Sequence, residues 1–236
     1  MARKIAEQGD IEGTLTRLEH EAAQYEKDCR ERAARLRVAR EKAGRMLTQR
    51  AEALLGELGF ARARLLVAFA PESELRRHGD ARPEFLFSPN TGEAPLPLTR
   101  IASSGELARV MLALKSVLAE VDEIPVLVFD EVDANVGGEI GRAVGEKMAA
   151  IADGRQVFCV THLPQVASLG AKHFVVEKDQ SGARAVVGIR SLHADRTERI
   201  AELARMLGDR KSASALTHAE KLLGAPAKKA TVRNRK

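Results

Sequence analysis

The stretch that decides the fold is Ile124-Pro125-Val126-Leu127-Val128-Phe129-Asp130-Glu131. Its unbroken apolar run, short and partly β-branched, predicts a strand over 124–129 buried on both faces, as in parallel sheets. Such a strand delivers its last residues to the carboxyl edge of the sheet, where α/β proteins place their ligands. That edge receives two acids, Asp130 and Glu131, and then the turn Asp133-Ala134-Asn135-Val136-Gly137-Gly138. Taken singly, acids there only bring a buried strand out into a polar loop, and Asp133 is ordinary turn chemistry.

Working outward, 138–151 has the periodicity of a helix. Gln156-Val157-Phe158-Cys159-Val160-Thr161-His162 then repeats the pattern of a buried strand with a polar end. Pro164 suits the first turn of a following helix. Strand, helix, strand in this order predicts parallel neighbours joined by a crossover helix, which brings His162 to the same edge as Asp130 and Glu131. Upstream, a helix is expected over 103–121. Ser103 and Glu106 stand three apart, the spacing of a capping box, which is a sufficient structural reason for both. The same helix start also suits an anion, with exposed N–H groups, the hydroxyls of Ser103 and Ser104, and a glycine, Gly105, that permits close approach. Two short strands at 63–70 and 84–87, separated by a turn-rich 71–83, predict a small β-rich lobe before it. Beyond it, strands at 174–177 and 185–189 around Asp179-Gln180-Ser181-Gly182 form a hairpin, followed by helices over 195–207 and 212–223.

The N-terminal part is of another kind. Small or apolar residues fall at Ile11, Leu15, Leu18, Ala22, Tyr25, Cys29, Leu36, Ala39, Ala43, Met46 and Ala53, interrupted by Arg32 and Arg50. This three-four spacing over roughly six heptads predicts one strand of a coiled coil, and no second heptad region exists to pair with it. Between Arg30 and Arg50 basic residues prevail over Glu31 and Glu41, as a solvated helix face or as a track for a phosphate backbone. The 236 residues carry a net charge of +5, and the acid-free end with Lys228, Lys229, Arg233, Arg235 and Lys236 accounts for the imbalance. Two distant cysteines, Cys29 and Cys159, form neither a disulfide framework nor a metal spacing, which suits a reducing cytoplasm. No apolar run reaches membrane-spanning length and no membrane partner is expected. The expected organisation is a coiled-coil helix at 1–58, a globular lobe at 59–224 and a basic tail at 225–236.

The joint order of a Ser-Ser-Gly-Glu helix start, an acidic strand end, an Asp turn and a His strand end resembles the C-terminal half of an ABC-type ATPase head. A coiled-coil strand running into that head is similar to the SMC-type branch, which serves DNA repair and chromosome maintenance. The resemblance implies an α/β fold, the C-terminal lobe of a P-loop ATPase head with a largely parallel sheet behind one long coiled-coil helix. It implies ATP and Mg²⁺ as cofactors. Ser103, Ser104, Gly105 and Asp133 are then expected at ATP as signature and D-loop, Asp130 at the metal, and Glu131 and His162 in catalysis as base and γ-phosphate sensor. It further implies a nucleoid-associated cytoplasmic protein that repairs DNA double-strand breaks by recombination, with DNA and a second, homodimer-like head as partners. Ser104 departs from the pattern, which usually has Gly there. The phosphate-binding loop G-x-x-x-x-G-K-[ST] has no counterpart, since the sequence contains no Gly-Lys pair. Hydrolysis is therefore expected only with a half that carries that loop. The alternative is a truncated, non-catalytic module that pairs with an intact ATPase of this type.

Overall fold

The computed structural model describes residues 2–101, 103–179, 186–192 and 195–224. Helix α1 (Ala2–Glu57) runs without a proline for 56 residues, roughly 80 Å at the usual rise. Ion pairs one turn apart, Arg17 with Glu21 at 2.9 Å and Arg30 with Glu26 at 2.6 Å, line its solvated faces. The heptad residues remain uncovered: Ile11, Leu15, Leu18, Tyr25, Leu36 and Met46 are all exposed. The buried residues of α1 form a separate stripe, Ala33, Gly44, Thr48, Ala51 and Leu55, continued by Leu58 after the helix. That stripe packs on the β lobe and on helix α2 (Ser104–Val117).

The lobe is a hairpin of β1 (Arg64–Arg76) and β2 (Gly79–Ser88), with the two-residue β3 (Leu96–Pro97) on its edge. The hairpin is longer than expected, because 71–83 is not a loop. Pro71 pairs with Ala81 and Phe69 with Pro83, and the register slips only between Pro71 and Arg76. A β-carbon on Gly44 would lie 3.3 Å from Val67 Cβ, so the glycine sets how closely α1 approaches β1. Glu52 accepts from the Leu65 amide at 2.9 Å, Arg40 donates to the His78 carbonyl at 2.5 Å, and Arg37 pairs with Asp80 at 3.3 Å. Two cations of the basic run are thus engaged by the hairpin.

After a 3₁₀ turn (Leu98–Arg100), α2 leads to the βαβ unit: β4 (Val126–Phe129), α3 (Gly138–Ile151) and β5 (Gln156–Cys159). β4 and β5 pair in parallel with Val126 opposite Gln156 and Phe129 opposite Cys159. Helix α2 ends earlier than 121. There Lys115 pairs with Asp122 at 2.5 Å, and Arg155 donates to the carbonyls of Ala119 and Asp122. The strands differ from the expected burial on both faces. Leu127 and Phe129 are in the core, whereas Val126, Val128, Phe158 and Val160 are exposed.

A one-turn helix α4 (Pro164–Ala167) follows β5, then the antiparallel β6 (Phe174–Asp179) and β7 (Val186–Ser191). The hairpin turn at 180–185 and the tail at 225–236 lie outside the described residues. Helices α5 (Arg196–Met206) and α6 (Ala213–Gly224) pack on Ala167 through Leu203, Ala204 and Ala219. Asp195 caps α5 by accepting from the amides of Thr197 and Glu198. Arg199 reaches back to the carbonyls of Ala167, Ser168 and Gly170, fixing the end of α4.

Candidate functional site

Three elements converge beside the carboxyl ends of β4 and β5. Ser103 is the N-cap of α2, and its hydroxyl accepts from the Glu106 amide at 3.3 Å. Ser104 is the first helical residue, and its hydroxyl donates to the Glu131 carboxylate. Gly105 is buried against the turn after β4: a β-carbon there would stand 2.8 Å from Ala134 Cβ and 3.1 Å from the Glu131 carbonyl. The glycine thus has a packing reason in addition to any approach of phosphate. The turn itself is constrained, with Glu131 at φ 57° and Asn135 at φ 59°, a region that residues with a β-carbon adopt rarely.

Asp133 is 2% exposed and faces inward. Its Oδ2 accepts from the Thr161 hydroxyl, from the His162 amide at 3.1 Å and from the Leu163 amide at 3.3 Å. His162 Nδ1 lies 3.4 Å from the same oxygen while the ring is largely exposed. One carboxylate therefore binds the turn after β4 to the exit of β5, which is what a buried charge requires for its burial. Asp130 is exposed at the end of β4 and, among the described residues, has no hydrogen bond or ion pair.

Arg109 closes the Ser-Ser-Gly-Glu run of the sequence, which assigns it no role. It sits on α2 in the run Leu107-Ala108-Arg109-Val110-Met111, a lone cation among apolar neighbours. It is buried, donates to the carbonyls of Ala134 at 2.9 Å and Val132 at 3.4 Å, and lies 5.1 Å above the Phe60 ring. Desolvation lowers its pKa from the usual arginine value, partly offset by Glu106. Arg109 thereby joins the foot of α1, through Phe60, to the turn that carries Asp133. Phe60 in turn meets Phe87 of the hairpin edge-on at 5.4 Å.

The Cys159 thiol is pushed up to about 12 by burial and by the charges of Asp133 and Asp130, so it stays protonated and is no nucleophile. Among the described residues no three His, Cys, Asp or Glu side chains are grouped to hold a metal ion. Mg²⁺ in nucleotide sites takes one or two carboxylates and completes its shell with phosphate and water, so the free Asp130 carboxylate fits that ion only together with a nucleotide. Ser104, Gly105, Glu131, Asp133 and His162 are thus drawn together in one chain, with Asp130 at the strand end beside them.

The groups stand at the ends of a parallel strand pair in a mixed α/β unit entered by one long helix. Three proteins described as DNA repair protein RecN match closely. The one from Treponema pallidum is 43% identical over 186 residues, 76% of this chain and 32% of its own length. That of Xylella fastidiosa is 39% identical over 210 residues, 88% of this chain and 37% of its own. The Deinococcus radiodurans protein is 43% identical over 188 residues, 80% of this chain and 33% of its own. The chain is similar to these RecN proteins over most of its own length, and it spans about a third of theirs. No protein-family model matches it. Among solved structures, an SMC head with coiled coil and joint from Pyrococcus yayanosii aligns with TM-score 0.48 and 18% identity, covering 67% of this chain and 29% of that one. The Pyrococcus furiosus SMC head bound to the C-terminal domain of ScpA aligns with TM-score 0.45 and 17% identity, covering 67% and 37%. Among the described residues no helix is long and apolar enough to cross a membrane.

Proposed function

We propose that this chain is the C-terminal part of a DNA-repair ATPase, and that it hydrolyses ATP at a composite site completed by a half bearing the phosphate loop and by an opposing head. The observation that carries this is the union made by Asp133, which ties the end of β4 to the end of β5 and leaves Asp130, Glu131 and His162 on one exposed edge. Residues 1–58 serve as the arm and 59–224 as the head lobe. Bound at Asp130, Mg²⁺ would neutralise phosphate charge. Glu131 orients and deprotonates the attacking water, and His162 donates a hydrogen bond to the terminal phosphate. Ser103, Ser104 and Gly105 offer the positive end of α2 to the nucleotide of the opposite head. Asp133, its acceptor oxygen already engaged, contributes by holding the His162 loop.

The apolar outer face of β4 and β5 supports the need for a further half, since Val128 at 68% and Val160 at 62% exposure have no cover. Replacing Glu131→Gln in the assembly with the phosphate-loop half is expected to stall turnover by at least about a hundredfold while ATP stays bound. Unchanged turnover refutes the role of Glu131. A second reading, the non-catalytic pairing module, is favoured by the uncovered heptad seam of α1. An assembly that forms but shows no turnover dependent on Glu131 decides for it.

A further inference from the structure

Ser104 and Glu131 belong to different steps of the proposed chemistry, yet each is the other's partner. The Ser104 hydroxyl donates to Glu131 Oε2 across the start of α2. Glu131 is held at φ 57°, and the Gly105 backbone fits against its carbonyl so closely that a β-carbon would stand 3.1 Å away. The carboxylate thus lies at the positive end of α2, in a conformation that its surroundings must maintain. A glycine at 104 would have no hydroxyl to offer.

We infer that Ser104 is a positioning residue that latches Glu131 to the α2 terminus in the separated head, and that a nucleotide phosphate releases it. This rests on the composite-site reading above. A hydroxyl has one proton and donates one hydrogen bond at a time. When the terminal phosphate held by the opposing head accepts the Ser104 hydrogen bond instead, Glu131 loses its partner and becomes free to turn toward its own nucleotide's water. Because Ser104 serves the opposing head's nucleotide and Glu131 serves its own, the exchange links the two sites: filling one frees the base of the other. No covalent step is involved.

Two measurements test the latch. In the 236-residue chain carrying ¹³C-labelled glutamate, with Glu131 assigned through Glu131→Gln, the Glu131 carboxyl resonance is expected to move in Ser104→Ala and stay in place in Ser104→Thr, which keeps the hydroxyl. A resonance unchanged by Ser104→Ala overturns the latch, whatever the enzyme does. In the assembly with the phosphate-loop half, Ser104→Ala is expected to raise turnover at sub-saturating ATP by up to about tenfold, the scale of one charge-assisted hydrogen bond, and to lower the Hill coefficient for ATP toward one. Ser104→Thr should restore both. A loss of kcat in Ser104→Ala, with the Hill coefficient retained, overturns the latch and leaves Ser104 as a phosphate ligand only. If the wild-type assembly shows no turnover dependent on Glu131, it is the composite-site reading that fails, and the carboxyl resonance still decides whether Ser104 holds Glu131.

Discussion

Asp133 shows how much one buried carboxylate organises. Three hydrogen-bond donors converge on one of its oxygens, two of them backbone amides of the loop that carries His162. Asp133→Ala removes the acceptor of the His162 amide and leaves the Leu163 amide to the Thr161 hydroxyl alone. It is expected to cost roughly 3 kcal/mol, read as a lower urea midpoint, with faster amide exchange at His162 and Leu163. Cys159 supplies a second, pH-dependent test. Its thiol is raised from 9.0 to about 12, so the folded chain keeps a proton that the unfolded chain releases. The sign follows from linkage. The contribution is complete below pH 9, and above it stability falls by up to about 1.4 kcal/mol per pH unit as the pH rises toward the folded value. Cys159→Ala should flatten the alkaline limb between pH 9 and 10.5 relative to the parent chain in urea titrations. Equal slopes would show that the thiol titrates normally.

Elements were legible in the sequence to different degrees, for physical reasons. Helix α3 appears at the predicted 138–151, because a glycine-rich entry and a clear apolar period leave few alternatives. The hairpin was misjudged at 71–83, where two prolines and several charges look like a turn. Strand propensity is decided by cross-strand neighbours, and the register set by Leu65 against Phe87 carries pairing on as far as Pro71. The site was legible in its parts, because strand ends and a helix cap have sequence signatures. The inward turn of Asp133 and the Ser104–Glu131 pair join residues far apart in sequence and have no local signature. In α1 the heptads were legible, whereas the second stripe, with Gly44 and Thr48 in it, is too polar and small to register as a core face. The two stripes should respond differently to substitution. Leu55→Ala, at a fully buried site, is expected to cost about 3 kcal/mol in thermal or urea unfolding of the chain. Leu18→Glu, at a site 50% exposed, should leave that stability within about 0.5 kcal/mol. A large effect at Leu18 would mean that the seam is already covered.

At the scale of the whole molecule the apolar surfaces are unevenly distributed. Besides the outer face of β4 and β5, one face of the second hairpin shows Phe174, Val176, Val187 and Ile189 to solvent. These residues stand at alternate positions of their strands and so share one face of the hairpin. Phe158→Glu, at a site 46% exposed, is accordingly expected to leave the melting temperature of the isolated chain unchanged and to abolish its association with the phosphate-loop half in size-exclusion chromatography. Retained association would place the interface elsewhere.

The two stripes of α1 also bear on mechanics. Met46 on the open seam and Leu47 on the packed side are neighbours in sequence, and successive residues lie about 100° apart around the axis. A helix wound onto the seam would therefore start beside the hairpin instead of opposite it. Since Glu52, Arg40 and Arg37 pin α1 to β1 and β2 on that side, the arm lacks a free swivel at its root. Torque from supercoiling along some 80 Å of arm would be borne by the head, with the Phe60–Arg109 contact as its point of entry into the turn of Asp133.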